Sequence, residues 1–290
     1  MNNSDNPGLE ELRARVRTHW DALSPAERSV CRLLTSHPAE QLLYSSAQEL
    51  GAASGTSNAS VIRTLRRLGY SGLPALKQAI AAPFSSSVAP EVRLRERIER
   101  LGGDLAGIWD RVADEARERI EHARAASSPG DLKRAVELLA GARETAAYGV
   151  GSSGIAADHL ALKLNRIGLR SRHIDSSGFR LADDLLRIGR GDALVVFAPG
   201  RLLPEVEVLL ERARAVGAGS VLISEELADE LGDRVDVVLT APHTPTGMTA
   251  EALTGIVIAD ALVQAVAAVD SDRAVASSHD LTAWRSRLGF

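Results

Sequence analysis

From Leu50 to Pro90 the chain contains no acidic residue, yet it carries Arg63, Arg66, Arg67 and Lys77. A segment that lies against a line of phosphates must be free of carboxylates of its own. Cysteine is almost absent as well. Cys31 stands alone, which excludes an intrachain disulfide and a cysteine-rich metal site. Set in an apolar helical pattern near Leu33 and Leu34, it reads as a small core residue. Aromatic residues amount to 3%, so the core must be built from Leu, Val, Ile and Ala. No basic N-terminal region precedes an apolar run, and no run of about 18 apolar residues occurs. A signal peptide and a membrane span are therefore not expected, and the cytoplasm is the expected compartment. No His/Asp/Glu cluster has metal-ligand spacing, and no cofactor is expected.

The 290 residues, 45% hydrophobic and 25% charged, have the composition of a globular protein long enough for two domains. A net charge of −4 excludes a uniformly basic nucleic-acid coat. The charge is uneven, however. Residues 1–82 hold nine Lys/Arg against seven Asp/Glu, whereas residues 83–290 hold 25 against 31. An acidic body with a locally basic head directs a polyanion to one face. The expected division is an all-α head over 1–82, a linker at 83–90 (Pro-Phe-Ser-Ser-Ser-Val-Ala-Pro) and an α/β body over 91–290.

In the head, Leu9, Leu12, Val16 and Trp20 share one helical face. Ser24-Pro25-Ala26-Glu27 has the cap, first-position proline and third-position Glu of a helix start. Short helices follow at about Ala39–Leu43 and Ser46–Ala53. Gly55 then supplies a turn, Ser57 caps a helix over Asn58–Leu68, and Gly69 ends it. A further helix covers Pro74–Ala82. The pair on either side of Gly55 reads as a helix-turn-helix.

On a wheel at 100° per residue, Val61, Leu65 and Leu68 fall together and form the inward stripe. Arg63 and Arg67 point the other way with Ser60 beside them, and Arg66 lies on the flank. Guanidinium and hydroxyl groups suit phosphate oxygens, and Arg can also fork onto guanine. Ser57 and Asn58 occupy the helix N-terminus, where free N–H groups favour an anion. Ser57, Ser60 and Arg63 are the expected phosphate contacts, with Lys77 a further basic one. Asn58, Thr64 and Arg67 are the candidates for base edges. The alternative for such a face is a solvated arginine surface on an ordinary bundle helix.

Beyond the linker, Glu91–Ala126 reads as charged helix with a break near Gly102-Gly103, followed by a helix at Asp131–Ala140. Apolar runs then alternate with helical patterns. Strands are expected at Thr145–Val150, Ser171–Asp175, Ala193–Ala198, Ser220–Ser224 and Val235–Thr240, which implies a five-stranded parallel sheet sandwiched by helices. Two helices close the chain, at about Thr249–Val269 and Asp272–Leu288. The first strand runs into Gly151-Ser152-Ser153-Gly154 and a helix. Such a loop lets backbone and hydroxyls approach an anion, though glycines also make purely structural turns. The spacing is not that of a dinucleotide fingerprint.

Several runs together carry a resemblance. They are Leu23–Arg28 (Leu-Ser-Pro-Ala-Glu-Arg), Ser46–Leu50 (Ser-Ala-Gln-Glu-Leu), Ser57–Arg63 (Ser-Asn-Ala-Ser-Val-Ile-Arg), Arg66–Gly72 (Arg-Arg-Leu-Gly-Tyr-Ser-Gly) and Leu76-Lys77. They resemble the N-terminal domain of the RpiR family, bacterial transcription regulators with a helix-turn-helix head and a sugar isomerase (SIS) body. The order of elements in the α/β region is similar to SIS. The resemblance implies dimers or tetramers that bind pseudo-palindromic double-stranded operators and sense phosphorylated sugars.

One departure stands out against that resemblance. SIS domains that bind sugar phosphates carry Ser-x-Ser-Gly-x-Thr after the third strand. Here the stretch is Phe197-Ala198-Pro199-Gly200-Arg201-Leu202, and of the motif's residues only Gly200 is retained. No side-chain hydroxyl remains, and Pro199 lacks an N–H. Losing two or three charge-assisted hydrogen bonds of roughly 1.5–3 kcal/mol each would weaken a phosphate about a thousandfold or more. Three readings follow. The pocket takes a less phosphorylated or more apolar effector, with Arg201 gripping a carboxylate. It holds a phosphate through Ser152, Ser153, Ser176, Ser177 and Arg201. Or it is empty and the body only oligomerises. Catalysis is not expected: His243 reads as loop decoration, Glu251 as a helix N-terminal charge, and Asp158 and His159 as a helix face.

Overall fold

The computed structural model describes residues 6–85, 98, 105–198, 200, 202–242 and 252–290. The chain forms two compact units that divide between Ala125 and Ala126.

The first unit is helical, with α1 (Pro7–His19), α2 (Pro25–Ser36), α3 (Ala39–Tyr44), α4 (Ala47–Ala53), α5 (Asn58–Arg67), α6 (Leu73–Ser85) and α7 (Leu105–Ala126). Local chemistry sets the starts. Ser24 and Glu27 form a reciprocal capping box on α2, and Ser46 and Glu49 form another on α4. Asn6 caps α1 and also donates to the carbonyl of Ile80 at 3.0 Å, tying the first helix to α6. Leu9, Leu12, Val30, Leu34, Leu50, Val61, Leu65, Leu68 and Ile80 close one core. Cys31 is fully buried within it, as expected.

Two boundaries differ from the sequence reading. Helix α6 continues through Ser85, so the first three residues of the expected linker are helical. Helix α7, assigned from sequence to the body, belongs almost wholly to the first unit. The reason is chemical: its Glu118 accepts a hydrogen bond from the Ala47 N–H at 2.7 Å, and its Arg111 lies 3.6 Å from Glu49.

The second unit holds α8 (Pro129–Ala140), β1 (Thr145–Tyr148), α9 (Ser152–Arg166), β2 (Ser171–Ile174), α10 (Phe179–Leu186), β3 (Ala193–Phe197), α11 (Pro204–Val216), β4 (Gly219–Ile223), α12 (Ala228–Leu231), β5 (Val237–Leu239), α13 (Leu253–Val269) and α14 (Ser271–Arg287). All strand pairs are parallel, in the order β2-β1-β3-β4-β5. Thr145 pairs with Ser171 on one side and Ala193 on the other, and Ala193 pairs with Gly219. Alternate residues serve opposite faces. Ala147, Val195, Phe197 and Val221 pack with α9 and α13, while Ala146, Tyr148, Leu194 and Val196 pack with α10 and α11. Both faces are therefore covered, which is why the strands read as continuous apolar runs.

Helix α13 is apolar, and its Ile258, Ala259, Leu262, Val263 and Val266 are buried in the core of their own unit. Helix α14 buries no residue and exposes Val275 and Trp284.

Candidate functional site

In the first unit, α4, the turn at Gly55 and α5 make the helix-turn-helix. A Cβ at Gly51 would lie 2.9 Å from the Ser57 carbonyl carbon, so only glycine lets α4 come this close to the start of α5. Gly55 takes φ +68 in the turn. Ser57 Oγ accepts from the Ser60 N–H at 3.2 Å and lies 3.0 Å from Ser60 Oγ. Val61 and Leu65 are buried, whereas Ser57, Asn58, Arg63, Arg66 and Arg67 are exposed and Ser60 is half-buried. The face is the one that periodicity placed outside.

Three sequence expectations need revision. Thr64 is fully buried, and its hydroxyl donates to the Ser60 carbonyl at 2.8 Å, so it satisfies its own helix and offers nothing to a base. Lys77 is 5% exposed, and its charge acts on the half-buried Glu118 carboxyl, so it is not a surface contact. Arg67 donates to Glu27 at 2.8 Å, which commits part of its guanidinium inside the unit. Arg66, placed on the flank from sequence, joins Asn58 and Arg63 along a hollow of about 760 Å³. The opposite wall is α7, through Asp114, Arg117, Glu118, Glu121 and His122. Sequence reasoning missed that wall, because a charged helix carries no sign of what it packs against. Burial pushes the Glu118 carboxyl up, against the pull of Lys77 and of the Ala47 N–H.

In the second unit, the loops after β1 and β3 flank the point where the chain reverses its direction of travel across the sheet. That is where open parallel sheets bind ligands. Gly149 is forced: a Cβ there would lie 2.5 Å from the Ser153 carbonyl oxygen. Gly151 follows at φ +59 as the residue before α9. His173 on β2 braces the loop, with Nε2 3.2 Å from the Gly149 carbonyl. Ser152 is half-buried at the first turn of α9, and Ser153 is buried. Ser177 is exposed after β2. Ser176 is buried and donates to Asp184 at 2.7 Å, a carboxylate that Arg172 also approaches at 3.2 Å. Gly200 is exposed after β3. Strand order thus carries Gly151, Ser152, Ser153, Ser176, Ser177 and Gly200 to one end of adjacent strands.

Pro199, Arg201, His243 and Glu251 lie outside the described residues. Phe197, where the sugar-phosphate motif has its first serine, is 3% exposed. Its ring packs over α13, where a Cβ on Gly255 would meet it at 3.2 Å. His159 contacts Asp260 at 2.8 Å and Lys163 lies 3.8 Å from the same carboxylate, so this face of α9 is tied to α13. The phenol of the fully buried Tyr148 is pushed up to about 12, first by burial and then by the charge of Glu205. Among the described residues there is no group of three or more His, Cys, Asp or Glu placed to hold a metal, and no single helix is long and apolar enough to cross a membrane.

Comparison with known proteins agrees with this architecture. Residues 10–87 match the helix-turn-helix domain of the rpiR family, and residues 138–268 match the SIS domain. The chain is 28% identical over 229 residues to the bifunctional protein glk of Paraburkholderia xenovorans, covering 79% of this chain but 35% of that one. It therefore spans only about a third of that relative's length. It is 24% identical over 231 residues to an HTH-type transcriptional regulator of Caldanaerobacter subterraneus, covering 80% of each. Among solved structures, Vibrio vulnificus NanR complexed with ManNAc-6P aligns with a TM-score of 0.57 and 23% identity, over 96% of this chain and 98% of that one. The sugar isomerase domain of an RpiR transcription factor from Sphaerobacter thermophilus aligns with a TM-score of 0.55 and 21% identity, over 58% and 94%. At these identities the structural likeness speaks for the fold. With its head and body matched in this order, the chain belongs to the RpiR family of transcriptional regulators, a helix-turn-helix domain followed by a SIS domain.

Proposed function

We propose that this regulator binds a small sugar-derived or acidic metabolite at the C-terminal ends of β1, β2 and β3, and that the bound metabolite shifts how the head engages a pseudo-palindromic operator. The observation that carries the reading is the Gly149–Ser153 loop, held by His173 at the reversal point of the sheet, in a chain whose other unit presents Asn58, Arg63 and Arg66. Ser152, Ser153, Ser177, Gly200 and Arg201 are the proposed contacts. Ser176 acts by holding Asp184 and Arg172 beside them.

The NanR structure carries ManNAc-6P, so a sugar phosphate is the first class to test. Against that class stands the loop after β3. Phe197 is turned into the core, and Leu202 replaces a hydroxyl. A ligand with fewer phosphate oxygens, gripped through a carboxylate by Arg201, fits this composition better. The same loss of hydroxyls removes the anchor an aldose–ketose isomerase needs, so the body acts as a sensor rather than an enzyme. Reading two operator half-sites requires two heads. The protein is therefore a cytoplasmic homodimer or homotetramer, and α14, with Val275 and Trp284 exposed, supplies subunit surface.

The test is thermal unfolding of the full chain against sugar phosphates, free sugars, amino sugars and sugar or keto acids. A ligand at a hundred times its Kd adds about 2.7 kcal/mol, a shift of several degrees. A shift with acids or unphosphorylated sugars is expected. A shift with sugar phosphates alone would overturn the ligand class. No shift with any compound would favour the second reading, a ligand-free oligomerisation domain, for which the core position of Phe197 also speaks.

A further inference from the structure

The α7 wall facing the reading helix is not used by the function proposed above. Glu118 on α7 accepts from the backbone N–H of Ala47, the first residue of α4, at 2.7 Å. That N–H is one of the donors left free at a helix start, where DNA-binding proteins commonly seat a phosphate. Glu118 therefore ties α7 to the start of the helix that precedes the reading helix. Asp114 and Glu121, on the same helix as Glu118, line the hollow opposite Asn58, Arg63 and Arg66, Asp114 paired with Arg117 and Glu121 with Arg124 of that helix. Arg111 of α7 adds a contact to Glu49, the capping residue of α4, at 3.6 Å.

The size of the hollow decides what fits it. About 760 Å³ suits a small molecule. A duplex that takes α5 into its major groove, about 12 Å wide, needs the space along α5 that α7 borders here. Asn58, Arg63 and Arg66 are exposed, but the side of α5 that carries them is bordered by α7.

We infer that α7 is an autoinhibitory cover, which holds the start of α4 through Glu118, borders the reading face of α5 and must leave before the duplex docks. The cover and the duplex compete for one face. Any change that loosens α7 raises DNA affinity without touching a DNA contact. Because α7 leads directly toward Ala126, where the second unit begins, it is the segment on which a change in that unit would pull.

The inference rests on the head being the DNA-binding unit, and the experiment separates the two. The full chain and the variant Asp114→Asn/Glu118→Gln/Glu121→Gln are titrated with a fluorescein-labelled mixed-sequence duplex at several salt concentrations. The variant is expected to bind about tenfold tighter. A control, Glu211→Gln/Asp229→Asn/Glu230→Gln, makes the same change in net charge on exposed residues of the second unit and should leave binding unchanged. Equal tightening in the control, or no tightening in the α7 variant, would overturn the cover. No binding by any of the proteins would remove the DNA reading and the cover together. A second measurement needs no variant. Hydrogen exchange of the amides of α7 in the wild type should rise when duplex is added, and undiminished protection would overturn the proposal even if the α7 variant failed to fold.

Discussion

Arg67 on the reading helix donates to Glu27 on α2 at 2.8 Å, and that same Glu27 closes the capping box with Ser24. One carboxylate, 5% exposed, therefore fixes the start of α2 and the distal end of α5 together. The arginines of the reading helix are consequently not equivalent. Arg63 and Arg66 spend their charge outward, while Arg67 spends part of it holding the helix in place.

Alanine at Arg63 or Arg66 should weaken duplex binding and lower its salt slope. Each lost phosphate contact removes about 0.9 from the slope, which at physiological salt is about a fivefold loss in affinity. Thermal stability should stay within about 0.5 kcal/mol, because both side chains are exposed. Arg67→Ala should behave differently, with a smaller effect on DNA and a loss of at most about 1 kcal/mol in stability. Fluorescence titration at three salt concentrations, together with melting curves, tests the separation. Identical profiles for all three variants would refute it.

The Glu27 carboxyl is held below the usual carboxylate range, chiefly by the Ser24 N–H, then by the Ser24 hydroxyl and the Arg67 guanidinium, against the opposing effect of burial. A group whose folded-state pKa is depressed stabilises the fold fully above its unfolded-state value, and the contribution is lost as pH falls through the folded-state value. Stability attributable to Glu27 should therefore disappear on acidification below the ordinary carboxylate range. Glu27→Gln should cost about 1 kcal/mol at neutral pH, in the range of a lost cap. It should also flatten the acid side of the stability profile. An acid limb superimposable on that of the wild type would count against this role.

These cases show where sequence reasoning stops. The reading helix could be found because Ser57, Gly55 and Gly69 act locally and Val61, Leu65 and Leu68 share a period. The sheet could be found because strands covered on both faces are continuous apolar runs. Thr64 misled because its hydroxyl bonds within its own turn, which lets a polar residue sit on the buried stripe. Glu118 and Ala47 are 71 residues apart, and Arg67 and Glu27 are 40 apart; no local pattern records either pairing. The effector site divides in the same way. The glycine loop is local and was visible, whereas the commitment of Ser176 to Asp184 and of Phe197 to the face of α13 depends on packing.

Cys31 is fully buried, and burial, with the nearby Glu27 charge adding to it, pushes its thiol up to about 11. The thiolate is the reactive form, so the native protein should be inert to a thiol reagent at pH 8. Titration with a disulfide reagent should count no accessible thiol in buffer and one in denaturant. Rapid labelling of the folded protein would show that α2 opens locally, contrary to its packing against α5.

Gly149→Ala tests the effector loop without touching a proposed ligand contact. The added methyl would lie 2.5 Å from the Ser153 carbonyl oxygen and 2.9 Å from the Gly154 nitrogen, both backbone atoms at the first turn of α9. Neither can yield by a side-chain rotation, so either the β1–α9 turn opens or α9 shifts away from the sheet. Overpacking of this kind costs about 1–3 kcal/mol. The melting temperature should fall by several degrees, and the metabolite-induced shift should vanish with the geometry of the loop. Duplex binding by the first unit should persist, because its core is separate from that of the sheet. A variant that keeps both its stability and its metabolite response would mean that the approach of Gly149 to Ser153 is not what shapes the site.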